Sequence, residues 1–389
     1  MYDPIRIPFN GESYVCASHF RDANIRNHIE KHGHNSLCSY CGAKAKVMDF
    51  ADFMEYAADV IGKYYTTVDN ADLPLESSFY DEDDDAYSIP GYIRIGSFVF
   101  RSEILPMEVP GLLEELDLTT DNDSLNDSIV ECFDSAQEWV LRDPLSITTD
   151  EENSLDWEHF CETIKHKRRF SIEDEIIKDE FIGYTKSISD IIDRIFSIVI
   201  QNRCLLTLYA GTRLYRGRPF YNGETPDGFN SLTAPPDESA KQNRMSPAGI
   251  SMFYGALSRP TAIDEIGSSK GTIYVGRFTT KRDLRLLDLT HLPRPSYWGT
   301  SDIGDMSFLR RFAKEVSKPI ERDDRIHTEY IPTQAFTEYV RYRFKEDGNP
   351  IDGIMYGSSL RPGEINVVLF CNQKKSAEWL ELTDYKEHV

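Results

Sequence analysis

The chain is 389 residues long, with 65 acidic against 43 basic side chains, a formal net charge of −22 and 40% hydrophobic residues. That length has room for two or three domains with a sizeable core, and the composition is too apolar for a disordered chain. The negative balance repels phosphate backbones and leaves little electrostatic basis for broad nucleic-acid binding, a local basic pocket excepted.

The opening MYDPIRIPFN has no basic stretch followed by an apolar one. Later apolar stretches such as IIDRIFSIVI are interrupted by charge and too short to span a bilayer. The expectation is a soluble, cytoplasmic protein without membrane contact. The seven cysteines are odd in number and scattered apart from one pair, which argues against a secreted disulfide framework. Cys132, Cys161, Cys204 and Cys371 read as buried free thiols.

Residues 1–67 form the first expected region. Cys16-Ala-Ser-His19 and Cys38-Ser-Tyr-Cys41 are two knuckles, each with two residues between its end members, separated by a short helical stretch. This spacing lets one tetrahedral zinc draw four ligands from two tight turns, and Gly42 favours the second of them. His28, His32 and His34 compete with His19 as the fourth ligand. Four protein ligands leave no open coordination position, so the zinc is expected to be structural. MDFADFMEYAADVIGKYY follows with apolar residues at helical spacing.

Residues 68–204 form the second region, mainly helical. The run DEDDDAYSIPG reads as a solvated loop, and residues 104–202 read as several helices joined by polar turns. IEDEIIKDEFI and ISDIIDRIFSIVI are the clearest amphipathic elements, and KHKRRF reads as a solvated or domain-contacting helix face.

From residue 205 to 389 the texture changes to short apolar runs: TLYAGTRLYRG, GISMFYG, GTIYVGRF, LRLLDL, GIMYGSS and NVVLF. Between them lie the helical patterns FLRRFAKEVSKPI and TQAFTEYVRYRFKE, so the expected fold class is α+β. There is no repeat, heptad array or further low-complexity tract.

Within NRMSPAGISMFYG, Arg244 precedes a Pro-Ala-Gly turn, and a buried strand from Ile250 to Tyr254 should follow. LYRGRPF places Arg216 and Arg218 at a strand end, LSRPTAIDEIG reads as a helix carrying Thr261, Ala262 and Glu265, and Ser358 and Ser359 fall in a late turn. Singly, each is more simply a surface ion pair or a local hydrogen bond. Together they suit a nucleotide. Two arginines can grip a diphosphate, a tyrosine can stack on a planar heterocycle, and a carboxylate can stabilise an oxocarbenium-like centre. Cleaving the nicotinamide–ribose bond of NAD asks for those groups, because the leaving group is already cationic and needs no strong general acid. No GxSxG elbow surrounds the serines, which argues against a serine hydrolase.

In their order, these residues resemble the RES domain family, whose members are similar in fold to ADP-ribosyltransferase toxins and degrade NAD. The resemblance rests on Arg216 in LYRGR, Arg244 and Gly249 in RMSPAG, Tyr254, Glu265 in AIDE, and Ser358 ahead of Asn366 in NVVLF. It departs where the family's Gly-Gly-Arg-Trp-Asn turn is replaced by Asn-Arg-Met-Ser-Pro. The knuckles, WEHFCETIKHKRRF and EYIPTQAFTEYVR resemble a longer subclass with a HEPN/RES N-terminal region, although no Arg-x4–6-His ribonuclease motif is evident.

The resemblance implies an NAD-consuming, toxin-like hydrolase or phosphorylase. Arg216 and Arg244 would hold the diphosphate and ribose, Tyr254 would pack on nicotinamide, Glu265 would stabilise the ribosyl cation, and Ser358, or Ser359 beside it, would orient the ribose. The acceptor is water or phosphate; a protein or nucleic acid as acceptor would make the chain an ADP-ribosyltransferase, and an inactive scaffold is the third reading. An antitoxin or other regulatory protein is the implied partner, and a homodimer is compatible with the pattern.

Overall fold

The computed structural model describes residues 4–7, 13–71, 92–95, 98–101, 105–143, 147–170, 172, 176–179, 184–267, 271–318 and 326–388. The acidic run at 81–91 lies outside them. The chain forms two compact units, Met1–Thr148 with Pro295–Ile303, and Thr149–Arg294 with Gly304–Val389.

In the first unit, strands β1 (Tyr14–Cys16) and β2 (His34–Leu37) flank β3 (Lys44–Asp49) in an antiparallel sheet, Cys16 and His34 both pairing with Val47. Helix α1 (Ala23–His32) starts because Asp22 accepts hydrogen bonds from the Asn24 and Ile25 backbone N–H groups. It ends at Gly33, where a Cβ would stand 2.4 Å from the Val47 carbonyl oxygen, so only glycine admits the turn into β2. Helix α2 (Phe50–Tyr64) buries Phe50, Phe53, Met54, Ala57, Val60 and Ile61, the three- and four-residue spacing read from the sequence. Next come β4 (Tyr65–Thr67), β5 (Tyr92–Ile95), β6 (Phe98–Arg101), α3 (Val109–Glu115), α4 (Asp123–Glu131) and β7 (Trp139–Leu141). The distant stretch 295–303 joins this unit through Trp298, whose indole N–H donates to the Leu116 carbonyl at 2.6 Å, and through the Tyr297–Tyr65 hydroxyl pair.

The second unit begins with α5 (Thr149–Glu162), a hairpin of β8 (Ile176–Asp179) and β9 (Tyr184–Ser187), and α6 (Ile188–Gln201), which opens on a reciprocal Ser187–Asp190 capping box. The strands β10 (Leu205–Leu208), β11 (Arg213–Phe220), β12 (Phe253–Ala256), β13 (Thr272–Thr280), β14 (Leu284–Asp288), β17 (Gly353–Gly357), β18 (Ile365–Leu369) and β19 (Leu380–His388) form one sheet. Its order is β10-β14-β17-β18-β12-β11-β13-β19, with β14 and β17 parallel and all other neighbours antiparallel. Short helices α7 (Phe229–Leu232) and α8 (Arg259–Asp264) lie between strands of that set. Then come α9 (Ile303–Ser317), α10 (Ile326–Glu329), α11 (Ile331–Tyr342), the small hairpin β15 (Lys345–Glu346) with β16 (Asn349–Pro350), and α12 (Gln373–Trp379).

Alternation along the strands divides the core. Leu287, Ile354, Tyr356 and Val368 pack with apolar residues of α5, α6, α9 and α11, while Leu286, Met355, Val367 and Leu369 pack with Phe253, Phe278 and Trp379. Trp157, Phe160, Ile191 and Ile195, from residues expected to go with the second sequence region, therefore build the core beside this sheet. The architecture is α+β, with a large mixed sheet in the C-terminal part and a helical part. Among the described residues no helix is long and apolar enough to cross a membrane.

Three segments depart from the sequence reading. IEDEIIKDEFI was expected as an amphipathic helical element; its described part is strand β8, because β-branched Ile176 and Ile177 lose rotamer freedom in a helix and pair with Ser187 and Lys186 instead. KHKRRF is solvated as expected, with Lys165 half-buried, but only its first three residues are helical. A wide π-type turn over Thr163–Lys167 ends the helix, and Phe170 beyond it is 99% exposed. The strand expected from Ile250 starts only at Phe253, since Ser251 is held off the ladder by Asp237 and Pro235. Of the four scattered thiols, Cys132, Cys204 and Cys371 are buried and Cys161 half-buried, all free, and burial raises each above its usual range.

Candidate active site and metal centre

In the first unit, Cys16, His19, Cys38 and Cys41 converge so that their ligand atoms all lie within 4.8 Å of one another. Cys16 Sγ is 3.7 Å from Cys41 Sγ, and His19 Nε2 is 3.4 Å from Cys38 Sγ. Tetrahedral zinc with thiolate bonds near 2.3 Å would set sulfurs about 3.8 Å apart, so the spacing fits that ion. His19 turns Nδ1 towards Asp121 at 4.0 Å, which leaves Nε2 on the cluster side. Burial raises the Cys38 thiol, but the Tyr40 and Cys41 backbone N–H groups and His19 more than offset it and bring it to about 6. Gly42 sits at φ +66° and its N–H donates to the Cys38 carbonyl, closing the second knuckle. The three rival histidines are engaged elsewhere: His28 stacks on Tyr56 at 3.6 Å and on His32 at 4.5 Å, and His34 meets Tyr14 edge-on.

In the second unit a cavity of about 550 Å³ opens beside β11, β12 and β18, lined among others by Arg216, Arg244, Tyr254, Glu265, Tyr356 and Asn366. Arg216 projects from β11, its Nη1 donating to the Tyr254 carbonyl at 2.7 Å and its guanidinium lying 5.6 Å from the Phe253 ring centre. Its buried Nε has no hydrogen-bond partner among the described residues, and burial, with Arg218 nearby, lowers its pKa to about 10. A buried, unpartnered guanidinium N–H is a group waiting for an acceptor.

Arg244 is tied to the C-terminal end of α9, its Nη1 donating to the carbonyls of Val316 and Lys318. The position after it, Met245, is fully buried in the core, and the ring beside this arginine comes from Tyr330, 5.9 Å from the guanidinium. Tyr254 shares a 2.9 Å hydrogen bond with Ser246, and burial pushes its phenol well above the usual range.

Glu265 is the first residue past α8, whose start is set by the Ser258 cap and Pro260. Its Oε1 accepts from Ser358 Oγ at 2.8 Å and from Asn366 Nδ2 at 2.6 Å. Two neutral donors on one oxygen fix the carboxylate's direction while leaving its charge uncancelled. Ser358 is buried, and the Leu360 and Arg361 N–H groups donate to its hydroxyl, orienting it; Ser359 is exposed.

The structure thus brings Arg216, Arg244, Tyr254, Glu265 and Ser358 together and leaves Ser359 outside. Arg218 turns away to the Ser231 carbonyl. Sequence reasoning used Asn366 only as a landmark and missed its bond to Glu265. The available signal was a polar residue inside the apolar run INVVL, which is 3% exposed and so needs a buried partner.

An α+β unit whose sheet carries arginines, a tyrosine and an oriented carboxylate around one cavity has the groups to bind a phosphate-bearing ligand. Comparison with known families is specific: residues 31–177 match HEPN/RES N-terminal domain 1 and residues 213–386 match the RES domain, together spanning most of the chain. The chain thus carries a RES domain preceded by a HEPN/RES N-terminal domain, the organisation of a long RES family member. A RES domain implies an NAD-related, toxin-like role. No curated protein and no solved structure matches the chain.

Proposed function

We propose that the chain is an NAD-consuming enzyme that cleaves the nicotinamide–ribose bond by hydrolysis or phosphorolysis, on a sheet of the ADP-ribosyltransferase type. The observation that carries this reading is Glu265, held by Ser358 and Asn366 on the wall of a cavity that also presents Arg216, Arg244 and Tyr254. Arg216, with its unpartnered Nε, and Arg244 receive the diphosphate and ribose oxygens. Tyr254 packs against the nicotinamide ring. As the C–N bond breaks, its electron pair passes to the pyridinium ring and releases neutral nicotinamide. The positive charge left on the ribose is stabilised by the Glu265 carboxylate, and water or phosphate then adds to the anomeric carbon, a water proton leaving to solvent. Ser358 acts through Glu265 by holding its oxygen in place.

The Cys16, His19, Cys38 and Cys41 set is proposed to hold a structural zinc, which supplies cross-linking of two turns and no chemistry.

The test is a time course of NAD loss by the purified chain beside Glu265→Ala, with products resolved chromatographically. Nicotinamide and ADP-ribose, or its 1-phosphate, are expected from the wild type, with turnover about 10²- to 10³-fold lower in the variant. Equal turnover by both overturns the assignment. Label from NAD retained on a macromolecule points instead to ADP-ribosyl transfer.

A further inference from the structure

A second cavity in the same unit is not used by the reading above. Helix α9 carries Arg310, Lys314 and Ser317 at i, i+4 and i+7, a single stripe of the helix. That stripe walls a groove of about 420 Å³, faced by Thr290 and His291 after β14 and by Gly357 at the end of β17. Leu289, Ala313 and Ile365 give it an apolar floor.

The groove is lined by two cations, Arg310 and Lys314, and one carboxylate, Glu364. Arg310 commits Nη1 to the carbonyls of Leu292 at 2.9 Å and Pro293 at 3.2 Å, which fixes the guanidinium and leaves its other N–H groups uncommitted among the described residues. Lys314 is exposed and pairs with no carboxylate among the described residues. The nearby acids are engaged. Asp288 accepts from Thr290 and faces His291 Nδ1 at 2.8 Å, and Glu364 accepts from Thr261 Oγ1 at 3.0 Å. The Asp288 contact holds the His291 ring and leaves its Nε2 for a ligand.

Gly357 leaves one part of the groove wall without a side chain. Its φ is not in the left-handed region, and a Cβ there would meet only Ser317 Oγ, at 3.8 Å. Neither backbone conformation nor crowding calls for glycine, and a side chain here would project towards Ser317 on the groove wall.

We propose that this groove binds a small organic phosphate monoester, its phosphate on Arg310 and Lys314 and its carbon body on the apolar floor. Two cations one turn apart on one helix suit a phosphate, and the volume falls in the range of roughly 300–1,000 Å³ typical of small-molecule sites, more than a free phosphate fills. Ser358 lines the groove as well as donating to Glu265, so an occupant lies one hydroxyl from that carboxylate. The inference concerns binding alone and stands apart from the NAD reading.

The experiment is calorimetric titration of the full chain with inorganic phosphate and with glucose 6-phosphate. Both are expected to bind, the ester more tightly. Lys314→Gln should weaken both by about tenfold, the scale of one charge-assisted hydrogen bond, and Gly357→Val should remove ester binding by filling the groove. Lys345→Gln, an exposed cation that lines neither cavity, should titrate as wild type. Circular dichroism checks each variant's fold, and Lys314→Gln carries the test if Gly357→Val fails to fold. The proposal is overturned if the wild type binds neither probe, if the ester gains nothing over phosphate, if Lys314→Gln titrates as wild type, or if Lys345→Gln loses as much as Lys314→Gln.

Discussion

The Cys/His cluster and the Glu265 cavity are built in opposite ways. All four cluster residues lie within one stretch of 26 residues, Cys16 to Cys41, and two tight turns bring them together. The cavity draws on β11, the turn before β12, the end of α8, and β17 with β18, and the two donors to Glu265 are 93 and 101 residues away in sequence. A local site depends on turn geometry and whatever ion it holds. A dispersed one depends on the register of a whole sheet, such as the Ala256–Asn366 and Tyr356–Asn366 pairs that bring Asn366 to the cavity wall.

If that contrast holds, damage to one site should leave the signature of the other intact. The largest effect is expected from Glu265→Ala: NAD turnover falls on the order of 10²- to 10³-fold while the melting curve and zinc content stay as in the wild type. Cys38→Ser is the converse. Metal analysis should show loss of zinc, and scanning calorimetry a transition lowered by about 10 °C, the scale of 2–3 kcal/mol in a small unit. An unchanged metal content would break the comparison on the cluster side.

Asn366→Ala sharpens it on the cavity side. Removing one of two donors should lower kcat about tenfold with KM nearly unchanged, because a misdirected carboxylate is felt mostly in the transition state. A rise in KM alone would mean that Asn366 serves binding instead. Ser359→Ala is expected to change neither kinetics nor stability beyond about 0.5 kcal/mol, as its side chain is exposed.

The legible parts of the molecule are those where one physical signal acts alone. The knuckle spacing and the apolar stripes of α2 and α6 are local patterns, and the structure has each of them. IEDEIIKDEFI misled because its charges satisfy a helical pattern while its paired isoleucines favour a strand, and only the partner strand β9 decides. Asn366 and Tyr330 were not legible as site residues. Neither stands near Glu265 or Arg244 in sequence, and their roles exist only once the sheet and α11 are in place.

The separation of Glu265 from its two donors also bears on when the carboxylate can be set during synthesis. On the ribosome, Glu265 emerges about a hundred residues before Asn366, an interval of roughly 5–20 s at ordinary elongation rates. Strand β18 must then insert between β17 and β12 before either donor reaches the carboxylate, a pairing of high contact order. A nascent chain therefore carries its arginines, its tyrosine and its glutamate without the arrangement that aims them, and the producing cell meets that arrangement only in the finished protein.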